Sequence, residues 1–277
     1  MILTVRHITR YSYAPPVAAV TMRLKLFPSR FEGQRVRRWK LTVNDGLVRP
    51  ELRDSWGDEV ATVFARGRLN AIEIVAEGEV ETTDLAGVLR GHRTPMRPAV
   101  CLRTTPRTEP NAEIRALAEE AAAAEGTALA RAHLLRDLVS ARIAYTPGAT
   151  DPATTAAKAL EAGAGVCQDH AHVLIAAARS LGWPARYVAG YYLPSPEAAG
   201  DVATHAWVEI WVQDLGWVGF DATNELCPTD AYIRVCAGLD AYDAAPVRGH
   251  AEGVSEETLA VEVSIAADND AQSQRQQ

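Results

Sequence analysis

Polar and apolar positions alternate with a period of two through the first 85 residues. Leu3, Val5, His7 and Thr9 fall on one side of an extended chain, with Thr4, Arg6 and Ile8 on the other, and Pro15-Pro16 is expected to end the run. The alternation resumes over Met22 to Phe27, and over Trp39 to Val43 before the turn signal Asn44-Asp45-Gly46. It returns over Glu59 to Phe64 and Ala71 to Thr83, where Glu73, Glu77, Glu79 and Glu81 oppose Ile72, Ile74 and Val80. Five or more short strands predict a small antiparallel β-sandwich over residues 1–85. Gly87, Gly91, Pro95, Pro98 and Pro106 then mark residues 86–107 as a connector.

From residue 108 the period lengthens to that of a helix. Asn111 is a candidate N-cap for a helix with Ile114, Leu117, Ala118 and Ala121 inward, ending near Gly126. Thr127 starts a second helix, with Ala130, Leu134, Leu138 and Val139 along one side. A short helix over Thr154 to Ala162, with Ala157 and Leu160 inward, stops at Gly163. A longer one runs from Cys167 to Leu181 on the stripe Ala171, Leu174, Ile175, Ala178 and Leu181, with Gly182 at C′ and Pro184 beyond. Strands follow at Ala185 to Leu193, Thr204 to Val212 and Trp217 to Thr223. Helices followed by antiparallel strands predict an α+β core over residues 108–250. Residues 251–265 read as a C-terminal strand segment, with Val261 to Ile265 as its strand, and the polar residues 266–277 as a disordered tail.

Length suits two domains, and 48% apolar residues suffice for a substantial core. The formal net charge of −7, without a basic tract, argues against nucleic acid as a partner. The arginines between Arg30 and Lys40 read as a solvated strand face. No eighteen-residue apolar run and no signal peptide is visible, so no membrane partner is expected. Cys101, Cys167, Cys227 and Cys236 lack a CxxC pair, which points to reduced thiols and a cytoplasmic location.

Cys167 stands out because it opens a helix just after Gly165-Val166. Helix N-terminal N–H groups and the macrodipole favour a thiolate, and the same donors suit an oxyanion. Gly165 would let a substrate backbone approach. His205 begins one strand and Asp221 closes the next. If the turn between them holds an odd number of residues, both side chains share a face within hydrogen-bonding reach. The imidazole then serves as base for the thiol, and the carboxylate fixes its tautomer.

Four blocks carry a resemblance. They are Gly165-Val166-Cys167-Gln168-Asp169, Gly182-Trp183-Pro184-Ala185-Arg186-Tyr187-Val188-Ala189-Gly190-Tyr191, His205-Ala206-Trp207-Val208-Glu209, and Gly216-Trp217-Val218-Gly219-Phe220-Asp221-Ala222-Thr223-Asn224. In order and spacing they resemble the bacterial transglutaminase-like family, often described as cysteine proteases. Arg6-His7, Thr9-Arg10-Tyr11 and Asp54 to Gly57 resemble the all-β domain that precedes its core. The resemblance implies a papain-like transglutaminase core fold with Cys167, His205 and Asp221 as the catalytic triad. His170 replaces the usual aromatic residue, and Gly238-Leu239-Asp240-Ala241-Tyr242 departs from the usual Gly-Arg-Asp-Tyr run.

Gln168, Gly165, Trp207 and Tyr145 are candidates to contact substrate, with a solvent-facing Gln168 and core packing of the two aromatics as the alternatives. His170 and His172 are expected to line or flank the cleft. Cys167 and His170 fit the spacing of metal ligands, with Cys227 as a distant third, but the expectation is no metal and no cofactor. Cys227 and Cys236 read as structural, and His7 as a satisfied strand residue. The expected activity is cysteine-dependent acyl transfer on a peptide, protein or small amide substrate, by hydrolysis or transamidation. Arylamine-type acetyl transfer, a catalytically silent scaffold and a zinc module are the competing readings. Oligomeric state is left open.

Overall fold

The computed structural model describes residues 1–195, 204–253 and 256–267. The N-terminal sheet is built on two long antiparallel strands, β1 (Ile2–Leu24) and β5 (Glu59–Thr82), paired from Ile2↔Glu81 to Leu24↔Ala61. Pro15-Pro16 does not end a strand. β1 continues through the prolines and absorbs them in two register shifts between Ser12 and Ala19. At that irregularity the sheet folds over itself. Val20, Met22, Leu24 and Ala61 pack in one core with Leu41, Val43, Ile72, Ile74 and Ala76. The sandwich thus arises from one bent sheet of long strands, not from several short ones. β2 (Gln34–Val43) and β3 (Gly46–Val48) extend it past β5, and β4 (Leu52–Arg53) pairs with the far end of β5.

The core domain packs α1 (Ala112–Ala123), α2 (Ala128–Arg142), α3 (Ala156–Ala162) and α4 (Cys167–Ser180) with an antiparallel sheet. Its strand order is β10 (Gly216–Phe220), β9 (Thr204–Val212), β8 (Ala185–Tyr192) and β11 (Tyr232–Gly238). The caps follow the sequence: Asn111 Oδ1 accepts the Ile114 N–H, and Thr127 Oγ1 accepts the Ala130 N–H. The inward stripe of α2 is Ala132, Leu135 and Val139. The expected Ala130 is exposed, while Leu134 and Leu138 are half-buried, because an alanine-rich helix offers two adjacent stripes of similar apolarity. A small parallel ladder of β6 (Ala144–Tyr145) and β7 (Ala164–Gly165) sets Tyr145 beside the start of α4. Among the described residues no helix is long and apolar enough to cross a membrane.

The two units are sewn together in three places. Val88 of the connector bridges to Val218, and the Leu89 N–H donates to Trp217 O, so residues 87–89 lie along β10. A short 3-10 turn, Pro98–Leu102, follows. β12 (Val247–Glu252) and β13 (Glu256–Ala267) leave the core and pair with β1, so the late strand is no separate segment. Ala266 and Ala267, expected in a tail, still pair with β1, whereas residues 268–277 lie outside the described residues.

The third seam covers the free edge of β11. Gln34 accepts the Arg234 N–H and donates to Arg234 O, the Ser29 N–H donates to the same carbonyl, and Asp58 accepts the Ala237 N–H. Side chains of the N-terminal unit thereby replace a neighbouring strand. Beneath them runs an alternating line of charges. Arg186 reaches Glu209 at 2.6 Å, Glu209 meets Arg234 at 2.9 Å, and Arg234 meets Asp58 at 3.3 Å. Lys25 then joins Asp58 at 3.1 Å to Asp54 at 2.8 Å. Burial alone would raise the Glu209 carboxyl, but Arg186 and Arg234 outweigh it and hold it at about 2.

Removing one member of a buried ion cluster strands the rest without counter-charge. Glu209→Ala is therefore expected to lower the unfolding free energy by about 3–5 kcal/mol, read from urea denaturation. A loss under about 1 kcal/mol would show that the cluster contributes no more than an exposed pair. Because the folded value of Glu209 lies below its ordinary 4.5, its contribution is complete above that pH and lost as the pH falls through about 2.

Candidate active site

β9 and β10 pair as Gly216↔Val212 through Phe220↔Val208, leaving Gln213, Asp214 and Leu215 as an odd loop. His205 and Asp221 consequently share a face, and Asp221 sits diagonally across from His205. His205 Nε2 lies 2.6 Å from Asp221 Oδ2. Cys167 and His205 line the same cleft, and Cys167 is among the groups that favour the protonated imidazole. The three residues singled out in the sequence are thus brought together, His205 bonding Asp221 and sharing the cleft with Cys167.

The Asp221 carboxylate is fully buried and fully used. Oδ2 also accepts the Tyr232 hydroxyl at 2.7 Å and the Asn224 amide at 2.7 Å, while Oδ1 accepts the N–H groups of Thr223 and Asn224. Burial opposes its charge, but the His205 hydrogen bond and these donors outweigh that cost and lower its pKa below the ordinary value. Burial likewise works against a charged His205. The hydrogen bond to Asp221 and the neighbouring Cys167 overcome it and push the imidazole up from 6.5 to about 10. Three aromatic rings surround it: Trp207 stacks at 6.3 Å, Tyr192 tilts at 5.4 Å and Tyr232 stands edge-on at 5.8 Å. Their faces suit an imidazolium.

The tip of α4 is anchored from within. Asp169 Oδ2 accepts the Val166 N–H at 2.8 Å and the Thr150 hydroxyl at 2.6 Å, so this first-turn acid turns back on the backbone. The first intrahelical bonds are made by the N–H groups of Asp169 and His170 to Val166 O. Those of Cys167 and Gln168 precede them, as the first donors of any helix do, and can face a ligand oxygen.

Cys167 opens into a cleft of about 480 Å³. The core unit lines it with Tyr145, Gln168, Tyr187, Ala189 and His205, and the loop before β12 adds Ala241 and Ala244 to Val247. The opposite wall comes from the N-terminal unit, through His7, Thr9 and Tyr11 of β1 and Leu259 and Val261 of β13. Nothing in the residue pattern announces this wall, because strand alternation does not reveal which distant surface a face meets. His7 is satisfied, as a strand residue, by Tyr191 Oη at 2.8 Å and Thr9 Oγ1 at 3.1 Å, and burial lowers it to about 4.

Of the residues proposed to contact substrate, Tyr145 and Gln168 line the cleft, and Tyr145 is 58% exposed, not a core aromatic. Trp207 does not reach the cleft. It is buried behind His205, where it packs on Tyr232. Its ring fits there because Gly190 faces His205 across the strands, and a Cβ on Gly190 would meet the indole at 2.7 Å. Gly165 also has another role: a Cβ there would meet Asp169 Oδ2 at 2.7 Å, so its bareness makes room for the helix-tip carboxylate. His170 and His172 are buried and do not line the cleft. The ring nitrogens of His170 face the carbonyls of Val166 and Ile143, which directs neither nitrogen to Cys167. His172 Nε2 accepts the Ala241 N–H and supports the cleft floor from behind; burial lowers it to about 4. Among the described residues no cluster of three or more such side chains could hold a metal ion. All four cysteines are free thiols, with Cys236 Sγ donating to Ala244 O. Tyr232 and Tyr192 were not singled out in the sequence. Asn224 was quoted there only as the end of the Asp221 block, where a side chain three residues on can return to the carboxylate.

Asp221→Asn is expected to bring the His205 titration well down from about 10, as followed by NMR of the imidazole nitrogens. Tyr232→Phe, which leaves the other donors to Asp221 in place, should move it less. Equal shifts, or none, would show that Asp221 does not control the imidazole. Since the folded value lies above 6.5, the stability from charged His205 is complete below that pH and lost as the pH rises through about 10.

Comparison with known proteins agrees with this geometry. Residues 115–222 match the transglutaminase-like superfamily core, and residues 3–81 match the bacterial transglutaminase-like N-terminal region. An uncharacterized protein of Mycobacterium leprae is 30% identical over 95% of this chain and 98% of its own length. A protein-glutamine gamma-glutamyltransferase of Pseudomonas aeruginosa is 34% identical over 47% of this chain, but only 20% of that enzyme is covered. A solved structure from Cytophaga hutchinsonii, named as a candidate cysteine protease, superposes with a TM-score of 0.73 at 22% identity, over 97% of this chain and 92% of that one. That likeness concerns the fold. With both of its units matched and a relative aligned along nearly its whole length, the chain belongs to the transglutaminase-like superfamily, in the bacterial branch that carries this N-terminal region.

Proposed function

We propose that the protein is a cysteine-dependent acyl-transfer enzyme acting on peptide or amide bonds, with Cys167 as nucleophile, His205 as acid and base, and Asp221 as the residue that positions His205. The observation that carries this reading is the His205–Asp221 hydrogen bond at 2.6 Å beside Cys167 at a helix tip, with Cys167 and His205 lining one cleft. Family membership and the name of the Pseudomonas relative support the same chemistry.

In this reading Cys167 Sγ, as thiolate, attacks the amide carbon, and the oxygen gains charge next to the N–H groups at the tip of α4. The imidazolium of His205 gives its proton to the amide nitrogen as the C–N bond breaks, which leaves an acyl-thioester. Neutral His205 then takes a proton from water or an amine as that nucleophile adds to the thioester carbon. Collapse restores the thiolate and imidazolium. Water yields hydrolysis and an amine yields transamidation; the outcome depends on which the cleft admits. Gln168 and Tyr145 border the reacting carbonyl.

Cys167→Ala is expected to abolish turnover while the far-UV circular dichroism and urea midpoint stay unchanged. Electrophilic peptide and amide probes, read by intact mass and peptide mapping, should mark Cys167 and spare Cys101 and Cys236. Turnover by the alanine variant would remove the assignment. Acylation should also fall as the pH rises through about 10, where His205 loses the proton destined for the leaving group; single-turnover rates across pH 7–11 would check it, about four decades of proton activity.

A further inference from the structure

The loop that gives Ala241 and Ala244 to Val247 to the cleft turns Tyr242 outward, 55% exposed. Two guanidinium groups lie over this ring, Arg248 at 4.0 Å and Arg107 at 5.2 Å from its centre. Arg248 directly follows Val247, a cleft residue. Arg107 Nε donates to Pro152 O at 3.4 Å, and the Gln168 amide donates to the same carbonyl at 3.5 Å. Gln168 neighbours Cys167 in the cleft lining. The two arginines therefore stand along one rim, from the α4 tip to β12.

Their charge is open. Arg37 and Arg53 have Glu81 and Glu59 as partners, whereas among the described residues neither Arg107 nor Arg248 forms an ion pair. Asp240 and Asp243 of the same loop serve its turn, accepting the N–H groups of Asp243 and Leu239. Stacking on an aromatic face holds a guanidinium in one plane and leaves its edge donors free for a planar carboxylate. Among the groups of a peptide, the anion that fits is a side-chain or terminal carboxylate.

We infer that Arg107 and Arg248, held on Tyr242, form an anion subsite that recognises a carboxylate on the acyl-donor peptide. This rests on the acyl-transfer reading and makes the substrate class an acidic peptide. The apolar cleft takes the uncharged part of the donor, and the rim sets its register.

The test uses two chloroacetyl peptides of equal size, one with a free carboxylate and one with the matching carboxamide. Each alkylates Cys167 by forming an S–C bond as chloride leaves, and mass spectrometry gives the rate at the identified cysteine. The anionic probe should react about tenfold faster, with the advantage shrinking as salt rises. In R107Q/R248Q the advantage should vanish while the neutral probe keeps its rate, which also reports an intact site. R107K/R248K should retain part of the advantage. Equal rates in the wild type, or an anion preference that survives in R107Q/R248Q, would overturn the inference and leave the nucleophile assignment standing. Failure of both probes to label Cys167 would overturn the acyl-transfer reading and the subsite with it.

Discussion

Glu209 is the carboxylate on which the two halves of this protein agree. It lies on β9 on the same face as Trp207 and His205, and it is held by Arg186 of β8 and Arg234 of β11. Through Arg234 and Asp58 the same line of charge enters the N-terminal unit and ends near Lys25 and Asp54. A buried charge tolerates only the positions that keep it paired, so the cluster fixes strand register more strictly than apolar packing does. A slip of β9 by one residue would bury Glu209 against α4 and turn His205 away from Asp221 at once.

Above that cluster, the chemistry depends on concentrating donors on Asp221. Tyr232, Asn224 and two backbone N–H groups would satisfy a carboxylate without any imidazole. Their combined effect is to keep it ionised in a fully buried place, where it can hold the His205 charge. The α4 tip meets this pair from the other side. Asp169 Oδ2 is engaged by the Val166 N–H and the Thr150 hydroxyl, so the acid that opens the helix organises its tip.

The parts of this arrangement that obey local rules were legible in the sequence. Asn111 and Thr127 cap their helices because their side chains need only reach three residues ahead. His205 and Asp221 meet because their odd numbering and an odd loop leave them on one face. Features that depend on distant partners were hidden. The cleft wall of β1 and β13 requires knowing that Thr9 pairs with Val261, a contact no period in either segment encodes. Trp207 read as a cleft residue because it follows His205 by two, yet same-face neighbours on a strand can run from surface to interior. Gly165 reads as a place for substrate, but the Asp169 carboxylate occupies that space, a contact no local pattern encodes.

The pairing of Val5 with Ile265 also has a consequence for biogenesis. β1 leaves the ribosome before the core does, and β13 follows only after the core has been made. Until then one flank of β1 has no mate, and the thiol-bearing cleft lacks the side formed by Leu259 and Val261. Contacts so distant in sequence form slowly, and the waiting strand is exposed to wrong partners. Pairing of β13 with β1 therefore finishes the cleft: the part of the wall formed by Leu259 and Val261 is added only when the chain has been synthesised through β13.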